Sequence, residues 1–442
     1  MQLILPEEVR KIIGVLKERG YEAYAVGGCV RDSLLGREPD DWDITTSAKP
    51  QEIKALFRRT VDTGLQHGTV TVLMGHNGYE VTTYRLDGEY EDGRHPKEVA
   101  FTDNLVEDLK RRDFTINAMA YSEFGGLVDV FDGAGDLRRG IIRCVGDARE
   151  RFAEDALRIL RAVRFCAQLG FSMEAQTMEA IRELSANLRL VSAERIQVEL
   201  VKLLVSPHPG YLRQAWELGV TGVILPELDL AMKTPQNNPH HIWSVGEHTL
   251  KALEEVRADK VLRLAILLHD LGKPLVRTTD EDGIDHFYSH PQEGAELARD
   301  ILKRLKFDND TLCKVVSLVR YHGTRPQPSE KNVRKHVNQV GEALYPLLLE
   351  VQRADAMAKN PETRQKRLRQ LEQIQEIYQG ILERKECLSL KDLAVKGGDL
   401  IQDGMEPGKE IGRVLNLLLE HVLEEPAHNT KEYLMEYSKT LR

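Results

Sequence analysis

Hydrophobic and polar positions change their period about one third of the way along the chain. Up to about residue 145, short apolar runs alternate with glycine-rich turns. Thr69–Met74 and Tyr79–Tyr84 are β-rich runs separated by the turn sequence GHNG, which indicates a hairpin. Lys11–Lys17 and Gln51–Phe57 have helical spacing instead. The first part of the chain therefore predicts a mixed α+β domain.

From about residue 147 onward, the spacing of apolar residues is almost wholly helical. Apolar residues from Ala153 to Ala167 recur every three or four positions, which predicts one amphipathic helix with a charged opposite face. Proline and glycine clusters at 206–210, 234–239 and 323–328 interrupt the helical part. Further helices are predicted at Ala193–Leu204, Val261–His269, Gln292–Leu305, Pro346–Met357 and Thr363–Lys385.

Composition excludes several classes of protein. A chain of 442 residues has room for about three domains. It contains no apolar run of membrane-spanning length, and its N-terminus lacks a secretion signal, so no membrane association is expected. The five scattered cysteines form no CxxC pair, which favours the reducing cytoplasm and argues against a zinc–thiolate site. A net charge of -9 argues against a protein that merely coats nucleic acid, although a local basic groove stays possible.

The stretch from residue 26 to residue 44 has the pattern of a phosphate-binding turn. Gly27 and Gly28 follow the apolar run Tyr24–Val26 and open a predicted helix. Glycines at this point let backbone N–H groups approach a polyphosphate, and the helix N-terminus adds favourable partial charge. Arg31 lies one turn into the helix, where its guanidinium could bind the same phosphates.

Two aspartates follow this turn. Asp41 and Asp43 alternate along an extended segment, so their carboxylates are expected on one face. Carboxylates next to a phosphate site are the ligands that Mg²⁺-dependent phosphoryl transfer requires. Glu80, in the neighbouring predicted strand, is a candidate for a third carboxylate. The turn and the aspartates together predict a metal-dependent nucleotidyl transfer site.

These residues carry a resemblance. The order GG, RD, DxD is similar to the nucleotidyltransferase signature of the polymerase-β superfamily, and the whole region resembles class II CCA-adding enzymes (tRNA nucleotidyltransferases) and bacterial poly(A) polymerases. The segments DLKRRDFTINAMA (108–120), EDALRILRAVRF (154–165) and ERIQVEL (194–200) match the same family in order. The resemblance implies an α+β, polymerase-β-like head at 1–140. An elongated all-α part follows: a neck at 141–205, a body at 206–360 and a tRNA-binding tail at 361–442.

A second group of charged residues suggests how a base could be chosen. Asp155 and Arg158 are three apart on the predicted helix, hence neighbours on its surface. Cytosine and adenine both present an amine donor beside a ring-nitrogen acceptor, whereas guanine and uracil present a ring N–H and a carbonyl. One carboxylate and one guanidinium could therefore accept C and A and reject G and U. The family resemblance assigns this role to Asp155 and Arg158.

The resemblance places further residues near the nucleotide. Arg112 matches an arginine that contacts the nucleotide, and Arg161 and Arg164 are placed close to it. Residues 138–164 hold eight arginines and four acids, a local net charge of +4 in an acidic protein. Arg195 and Glu199, one turn apart in ERIQVEL, are interpreted as an ion pair that braces the neck helices.

Two segments bear on the extent of the reaction and on RNA binding. Residues 85–101 resemble the flexible loop of full CCA-adding enzymes, which CC-adding relatives lack, and this favours complete CCA addition. Residues 393–415 hold a glycine-rich turn between two helices and resemble the tail that grips the outer arm of tRNA. A plain helical hairpin is the alternative for the second segment.

Histidines and aspartates between residues 240 and 355 predict a second metal site. A His-Asp pair at the end of a buried helix is costly without a partner, and a metal ion is the natural one. The pattern resembles the HD phosphohydrolase superfamily in its binuclear form, in which metal ions support hydrolysis of phosphomonoesters or cyclic phosphodiesters. Lys273 is placed at the phosphate by the same resemblance. The ligands that the resemblance implies are His248, His269, Asp270, His290, His322 and Asp355, for a transition metal, Mg²⁺ or Mn²⁺.

The resulting hypothesis is template-independent addition of CCA to the tRNA 3′ end, from CTP and ATP with Mg²⁺. No membrane and no obligate protein partner is implied. The alternatives within the family are an A-adding or CC-adding enzyme or a poly(A) polymerase. Those from other classes are an HD phosphohydrolase with a non-catalytic RNA-binding head, and a tRNA-binding protein without catalysis.

Overall fold

A computed structural model of the protein describes residues 3–87 and 99–442, which form two compact units, Met1–Pro226 and Glu227–Arg442. The strands are β1 (Ala23–Val26), β2 (Ile44–Thr46), β3 (Thr60–Gly64), β4 (Thr69–Met74), β5 (Asn77–Thr83), β6 (Arg85–Asp87), β7 (Val99–Phe101), β8 (Ala120–Ser122), β9 (Gly126–Val128), β10 (Ile141–Ile142), β11 (Ser172–Met173), β12 (Thr278–Thr279) and β13 (Asp285–His286).

The first helices of the chain are α1 (Glu7–Glu18), α2 (Gly28–Leu34), α3 (Pro50–Leu56), α4 (Leu105–Lys110), α5 (Gly133–Arg139), α6 (Ala148–Glu154), α7 (Leu157–Leu169), α8 (Ala175–Leu184), α9 (Ala193–Leu204), α10 (Leu212–Glu217) and α11 (Thr221–Ile224). The later helices are α12 (Pro226–Lys233), α13 (Val245–Glu255), α14 (Lys260–Leu268), α15 (Lys273–Val276), α16 (His290–Arg304), α17 (Asn309–Tyr321), α18 (Glu330–Val340), α19 (Tyr345–Met357), α20 (Pro361–Glu383), α21 (Gly397–Gln402), α22 (Lys409–Glu424) and α23 (Lys431–Thr440).

One sheet of seven strands organises the first unit, in the order β3-β4-β5-β2-β1-β8-β9. The predicted hairpin is confirmed, because β4 and β5 pair antiparallel from Thr69↔Thr82 to Met74↔Asn77. β2 and β5 pair in parallel, whereas β1 is antiparallel to both β2 and β8. The predicted α+β class is confirmed. This order places the end of β1 beside the start of β2, at the centre of the sheet.

A small core holds α4 against the sheet. Val26, Tyr84, Leu105, Leu109 and Ala120 form a buried apolar cluster. The same helix turns a fully buried carboxylate toward the sheet: Asp108 accepts hydrogen bonds from Thr45 Oγ1 at 3.1 Å and from Arg111 Nε at 2.9 Å. These bonds satisfy a charge that burial alone would make unfavourable. They fix the position of the residues that follow α4.

The single helix predicted across residues 153–167 is wrong, because the chain breaks at Asp155. α6 ends at Glu154, Asp155 is extended with φ -143° and ψ 101°, and α7 begins at Leu157. The Asp155 carboxylate accepts the backbone N–H of Leu157 at 3.1 Å, the role of an N-terminal cap. Asp155 therefore lies at a helix junction rather than on a continuous helical face.

The second unit is helical and follows the predicted spacing closely. The helices predicted at Val261–His269, Gln292–Leu305 and Pro346–Met357 correspond to α14, α16 and α19, with bounds shifted by one or two residues. Across residues 3–87 and 99–442, no helix combines the length and apolar character needed to cross a membrane. The four-part domain division expected from the sequence stays a prediction.

Candidate functional site

A glycine is required where β1 turns into α2. Gly27 has φ 82°, a conformation that side chains rarely adopt, and its N–H donates to the carbonyl of Met119 at 3.2 Å. A Cβ added at Gly27 would lie 3.0 Å from Arg112 Nη1. The turn thus brings bare backbone against the guanidinium of Arg112.

Three carboxylates lie within electrostatic reach of one another beside this turn. Val26 N–H donates to the carbonyl of Asp43 at 3.0 Å, so Asp43 lies next to the glycine turn. Ile44 pairs with Val81 in the parallel register of β2 and β5, which sets Asp43 level with Glu80, and alternation places Asp41 on the same face. Glu80, which sequence analysis left as a candidate, stays a candidate for the third carboxylate.

The charges of these carboxylates affect one another's pKa values. Desolvation raises the pKa of Asp43 even though the residue is partly exposed; the charge of Asp41 raises it further, and Arg112 opposes both effects. The pKa of Glu80 is raised by desolvation and by the charges of Asp43 and Asp41. Hard oxygen ligands that repel one another in this way fit a divalent cation such as Mg²⁺.

The two arginines near the turn have partners within the protein. Arg31 donates from Nη2 to Asp32 at 2.7 Å and from Nη1 to Asn117 Oδ1 at 2.7 Å. Burial lowers the pKa of Arg112, whereas the charges of Asp108 and Asp43 raise it. Its Nε has no hydrogen-bond partner in the described part of the chain. Arg112 therefore lies between the buried carboxylate of Asp108 and the candidate metal ligand Asp43. Its Nε can still donate a hydrogen bond.

Asp155 and Arg158 are not paired with each other as neighbours on one helix surface, which corrects the sequence prediction. Arg195 Nη2 donates to Asp155 Oδ2 at 2.6 Å. Arg158 Nη1 donates to Glu154 Oε2 at 2.6 Å, and its Nη2 donates to the carbonyl of Arg111 at 3.0 Å. The two residues are joined through the backbone, where Arg158 N–H donates to the Asp155 carbonyl at 3.0 Å. They are adjacent, but each has its own ionic partner.

The next two arginines of α7 are paired as well. Arg161 donates from Nε and Nη2 to Asp113 Oδ2 at 2.8 and 2.6 Å. Arg164 bonds Glu199, and its guanidinium lies 3.8 Å from the ring centroid of Phe165. Residues of α9 therefore brace α7, as ERIQVEL suggested.

The partners within ERIQVEL differ from those that the sequence indicated. Arg195 pairs with Asp155 and Glu199 pairs with Arg164, so the predicted Arg195–Glu199 pair is wrong. Both ion pairs join α9 to the residues around α7.

Asp113 is the site residue that sequence reasoning missed. It is buried, accepts the N–H of Phe114 at 2.8 Å and the amide of Asn117 at 3.2 Å, and binds Arg161. Desolvation would raise its pKa, but Arg161 and these hydrogen bonds lower it to about 2. Residues 111–113 thereby join the carboxylate site, through Arg112, to α7. In the sequence, Asp113 was marked only by its place as the last residue of the RRD motif, after Arg111 and Arg112.

The second unit gathers the six predicted metal ligands at one place. Ligand atoms of His248, His269, Asp270 and Asp355 all lie within 4.8 Å of one another. A second group, also within 4.8 Å, contains Asp270, His290 and His322. Asp270 belongs to both groups, so its two oxygens can bridge adjacent positions.

Backbone carbonyls orient three of the imidazoles. The Nδ1 atoms of His269, His290 and His322 lie 2.7, 2.7 and 2.6 Å from the carbonyls of Ile266, Phe287 and Val319. A hydrogen bond of this kind puts the proton on Nδ1 and leaves Nε2 as a ligand lone pair.

The Nε2 lone pairs of His290 and His322 lie close to each other and to Asp270. The Nε2 atoms of His290 and His322 lie 3.3 Å apart and each is 3.5 Å from Asp270 Oδ1. Within the described chain, His269 Nε2 is a buried nitrogen without a hydrogen-bond partner. This donor set fits divalent metal ions.

Two lysines hold the carboxylates of this cluster. Lys273 Nζ lies 2.7 Å from Asp270 Oδ2 and 2.7 Å from Gln236 Oε1, and Lys359 Nζ lies 2.6 Å from Asp355 Oδ2. Burial opposes a charge on His269, but Asp270 and Asp355 outweigh it and raise its pKa to about 9. The carboxylates thus favour a positive charge on His269, whereas burial lowers the pKa of His248 and of His290. Lys273 contacts a ligand carboxylate, whereas its expected phosphate contact stays a prediction.

Two expectations concern the loop and the tail. Most of the predicted loop at 85–101, namely residues 88–98, lies outside the described residues. In the tail, α21 and α22 flank residues 403–408, so the predicted helix–turn–helix geometry is confirmed. Its role in RNA binding stays a prediction.

Known proteins resemble this chain along most of its length. The family "Poly A polymerase head domain" matches residues 23–143, "Probable RNA and SrmB- binding site of polymerase A" matches 170–232, and "tRNA nucleotidyltransferase domain 2" matches 279–438. The CCA-adding enzyme of Leuconostoc mesenteroides is 36% identical over 440 residues, covering 98% of this chain and 97% of that one. The CCA-adding enzyme of Lactiplantibacillus plantarum is 52% identical over 227 residues, covering 51% of this chain and 54% of that one.

A solved structure is similar over the same extent. The crystal structure of the Bacillus stearothermophilus CCA-adding enzyme in complex with CTP has a TM-score of 0.74 and 30% identity, and 99% of each chain is covered.

The Asp113–Arg161 pair makes stability depend on pH. The pKa of Asp113 is about 2 in the folded protein, against about 3.9 for an unperturbed aspartate. Because the folded pKa is the lower one, the stabilisation is present above about pH 4 and is lost as the pH falls toward 2. We expect the difference in unfolding free energy between the parent and Asp113→Asn, from urea denaturation, to shrink by about 2–3 kcal/mol between pH 5 and 2. A difference that does not change with pH would contradict the assignment. For the exposed control Asp103→Asn, the difference in unfolding free energy should change very little between pH 5 and 2.

Proposed function

This chain belongs to the family of the CCA-adding enzymes, and from that premise we propose that it adds CMP, CMP and AMP to the 3′ end of tRNA without a nucleic-acid template. Family membership follows from similarity over nearly the whole length of a curated member. The observation that carries the proposal for this chain is the position of Asp43 beside the glycine turn and Arg112, with Asp41 and Glu80 within electrostatic reach.

The reaction is nucleotidyl transfer. The 3′ hydroxyl of tRNA attacks the α-phosphate of CTP or ATP in line, and pyrophosphate leaves. Asp41 and Asp43, with Glu80 beside them, would hold Mg²⁺, which when bound stabilises charge on the reacting phosphate. Gly28, Arg31 and Arg112 would bind the triphosphate and ribose, because the glycine turn and both guanidiniums lie around one point.

The proposal assigns base selection to Asp155 and Arg158, with Arg161 and Arg164 as further nucleotide-binding residues. The carboxylate would accept the exocyclic amine of C or A, and the guanidinium would donate to the ring nitrogen. In this structure Arg195 and Glu154 bind those groups, so an incoming base would have to replace both internal partners. G and U would leave both polar groups without a match, which makes their binding unfavourable.

Removal of one metal-binding carboxylate tests the reaction centre. We expect Asp43→Ala to lower CMP incorporation at least a thousandfold, because charge stabilisation by an electrostatic clamp is worth about that much. Binding of tRNA, measured by filter retention, should change little. The neighbouring exposed residue supplies the control Asp40→Ala. Substantial incorporation by Asp43→Ala would rule out the assignment.

Substitution of Asp155 tests base selection separately. We expect Asp155→Ala to lose the preference for CTP and ATP over UTP and GTP, because the acceptor for the exocyclic amine is gone. The measurement is the ratio of kcat/KM for each nucleoside triphosphate on the same tRNA. Arg195→Ala removes the internal partner and should keep the preference. Undiminished rejection of UTP and GTP by Asp155→Ala would refute selection by this residue.

Partial addition is the alternative within the family. An A-adding enzyme would extend only tRNA that already ends in CC, a CC-adding enzyme would stop after two residues, and a poly(A) polymerase would continue with A. Incubation with tRNA lacking CCA, CA or A, followed by sequencing of the 3′ ends, separates these activities.

The second unit supports a further activity, metal-dependent hydrolysis of phosphoesters. The observation that favours it is the orientation of three imidazoles, whose Nε2 atoms face the carboxylate of Asp270. His248, His269, Asp270 and Asp355 would hold one ion, and Asp270, His290 and His322 a second. Ions bound there would polarise a phosphoryl group and activate water for its hydrolysis. Lys273 and Lys359 keep the two carboxylates ionised and oriented.

Metal content can be assigned to each group of ligands. We expect inductively coupled plasma mass spectrometry to find two more divalent ions in the parent protein than in Asp270→Asn, which loses the shared carboxylate, and one more in the parent than in His248→Gln or His290→Gln. The exposed control His76→Gln should match the parent. Equal metal content in all variants would contradict the site, as would hydrolysis of an aryl phosphate by Asp270→Asn at the parent rate.

The cytoplasm is the proposed compartment. Among the described residues the cysteines are free, and Cys29, Cys144, Cys166 and Cys387 are buried. Buried thiols without disulfides are typical of proteins in a reducing environment.

A further inference from the structure

One aromatic ring contacts three of the guanidiniums in the first unit. Phe165 lies in α7 and is buried. Its ring centroid is 5.2 Å from the guanidinium carbon of Arg31, 5.5 Å from that of Arg161 and 3.8 Å from that of Arg164. All three distances fall within about 6 Å, the range over which the face of an aromatic ring attracts a cation. Phe165 therefore joins arginines that the proposed reaction uses, although its own side chain has no polar group.

The three arginines come from two helices. Arg161 and Phe165 are four residues apart on α7, so helical spacing alone makes them neighbours. Arg31 belongs to α2 and approaches the ring from a separate element. The ring thus connects an arginine proposed for the triphosphate with two arginines of α7 proposed for the nucleotide.

A chain of hydrogen bonds joins the same two helices. Arg31 Nη1 donates to Asn117 Oδ1 at 2.7 Å, and Asn117 Nδ2 donates to Asp113 Oδ1 at 3.2 Å. Asp113 Oδ2 then accepts from Arg161 Nη2 at 2.6 Å. Because Phe165 contacts the arginines at both ends of this chain, the five residues form a closed cycle. No member of a closed cycle can move without disturbing two contacts.

A second aromatic residue fixes the ring itself. Phe114 is fully buried and packs edge-to-face against Phe165, with ring centroids 5.6 Å apart and an interplanar angle of 78°. The backbone N–H of Phe114 donates to the Asp113 carboxylate at 2.8 Å. The position of the Phe165 ring is therefore tied to the segment that carries Arg112 and Asp113.

An aromatic contact suits an arginine that must also bind a ligand. A guanidinium meets a ring through its planar face, whereas its N–H donors lie in the plane and point outward. Within the described residues, Asp32 and Asn117 take three of the five N–H groups of Arg31. The ring of Phe165 orients the guanidinium without using another donor. A further carboxylate in that place would compete for these donors with the phosphates of a nucleotide.

We propose that Phe165 is a positioning residue for the nucleotide, because its ring holds Arg31 at a fixed place relative to Arg161 and Arg164. The inference rests on the nucleotidyl transfer proposed above. The ring acts through Arg31 and does not itself contact the substrate. Triphosphate-binding and nucleotide-binding arginines are thereby set to meet one bound nucleotide together. Loss of the negative potential on the ring face should weaken nucleotide binding and leave the fold intact.

Fluorinated phenylalanines separate the electrostatic role of the ring from its packing. Each fluorine weakens the negative potential on the ring face and changes the ring's shape little. Mono-, di- and trifluorophenylalanine at position 165, introduced by nonsense suppression, should therefore raise the Kd of CTP and ATP stepwise, by about three- to tenfold for the trifluoro form. Isothermal titration calorimetry with Mg²⁺ measures this Kd. The same series at the buried Phe307 of the second unit is the control and should leave it unchanged.

Steady-state kinetics supply a second readout. The series at position 165 should raise KM for CTP and ATP, with smaller changes in kcat, and leave KM for tRNA and the Tm unchanged. A role in packing alone would lower the Tm and would not distinguish nucleotide from tRNA.

A double-mutant cycle tests whether the ring acts through Arg31. Phe165→Leu should weaken CTP binding in the parent protein and much less in the Arg31→Ala variant, because the guanidinium that the ring holds is then absent. Phe165→Tyr keeps the ring and should bind CTP as the parent does. An equal effect of Phe165→Leu in both backgrounds would overturn the proposal.

Two further outcomes would overturn it. One is an affinity for CTP that does not depend on fluorination. The other is a rise in KM for tRNA as large as that for CTP, together with a lower Tm. The proposed function fails in a different way: a parent protein that binds CTP but adds no nucleotide to tRNA would refute nucleotidyl transfer, while the fluorination series would still decide the role of Phe165. Absence of CTP binding by the parent would refute both.

Discussion

The ion pair between Asp113 and Arg161 is the interaction on which the candidate site in the first unit depends. Asp113 lies at the end of a segment whose preceding residue, Arg112, faces the carboxylates at the sheet, and Arg161 lies in the middle of α7. A buried carboxylate that lost its guanidinium would be left without compensation, a loss that costs about 3–5 kcal/mol in proteins. The pair therefore fixes α7 to the segment that carries Arg112. Glu199 and Asp155 extend this arrangement, because they join α9 and the start of α7 through Arg164 and Arg195.

The two units achieve metal-binding geometry by different means. In the first, strand alternation and parallel pairing of β2 with β5 bring Asp43 and Glu80 together, so the sheet itself sets their spacing. In the second, the ligands come from separate helices, and hydrogen bonds from imidazole Nδ1 to backbone carbonyls set the direction of each lone pair. The first arrangement supplies only oxygen ligands, which suits Mg²⁺. The second mixes imidazole and carboxylate, which suits Mn²⁺, Fe²⁺ or Zn²⁺ as well.

Much of this organisation was predictable from the sequence, and the exceptions have physical causes. The hairpin and the glycine turn depend on local spacing, so pattern analysis found them, whereas the ligand set of the second unit came from a family resemblance. The break at Asp155 was missed because Ala153, Leu157 and Leu160 keep helical spacing across it. The partners of the arginines were missed because they lie far away in sequence: Arg161 and Asp113 are 48 residues apart. Glu80 was a candidate from the sequence, but its level relative to Asp43 depends on the parallel pairing of β2 with β5, which no local pattern encodes.

On the proposed assignment, the separate ionic partners of Asp155 and Arg158 affect how strongly a nucleotide can bind. Each group must leave an ionic partner before it meets a base, so the free energy of binding is the difference between two sets of hydrogen bonds. A nucleotide that matches both groups recovers what was broken, whereas one that matches a single group does not. On the proposed assignment, Arg195 and Glu154 thus compete with the nucleotide base for Asp155 and Arg158. This competition selects CTP and ATP over UTP and GTP, and it also lowers the affinity for CTP and ATP.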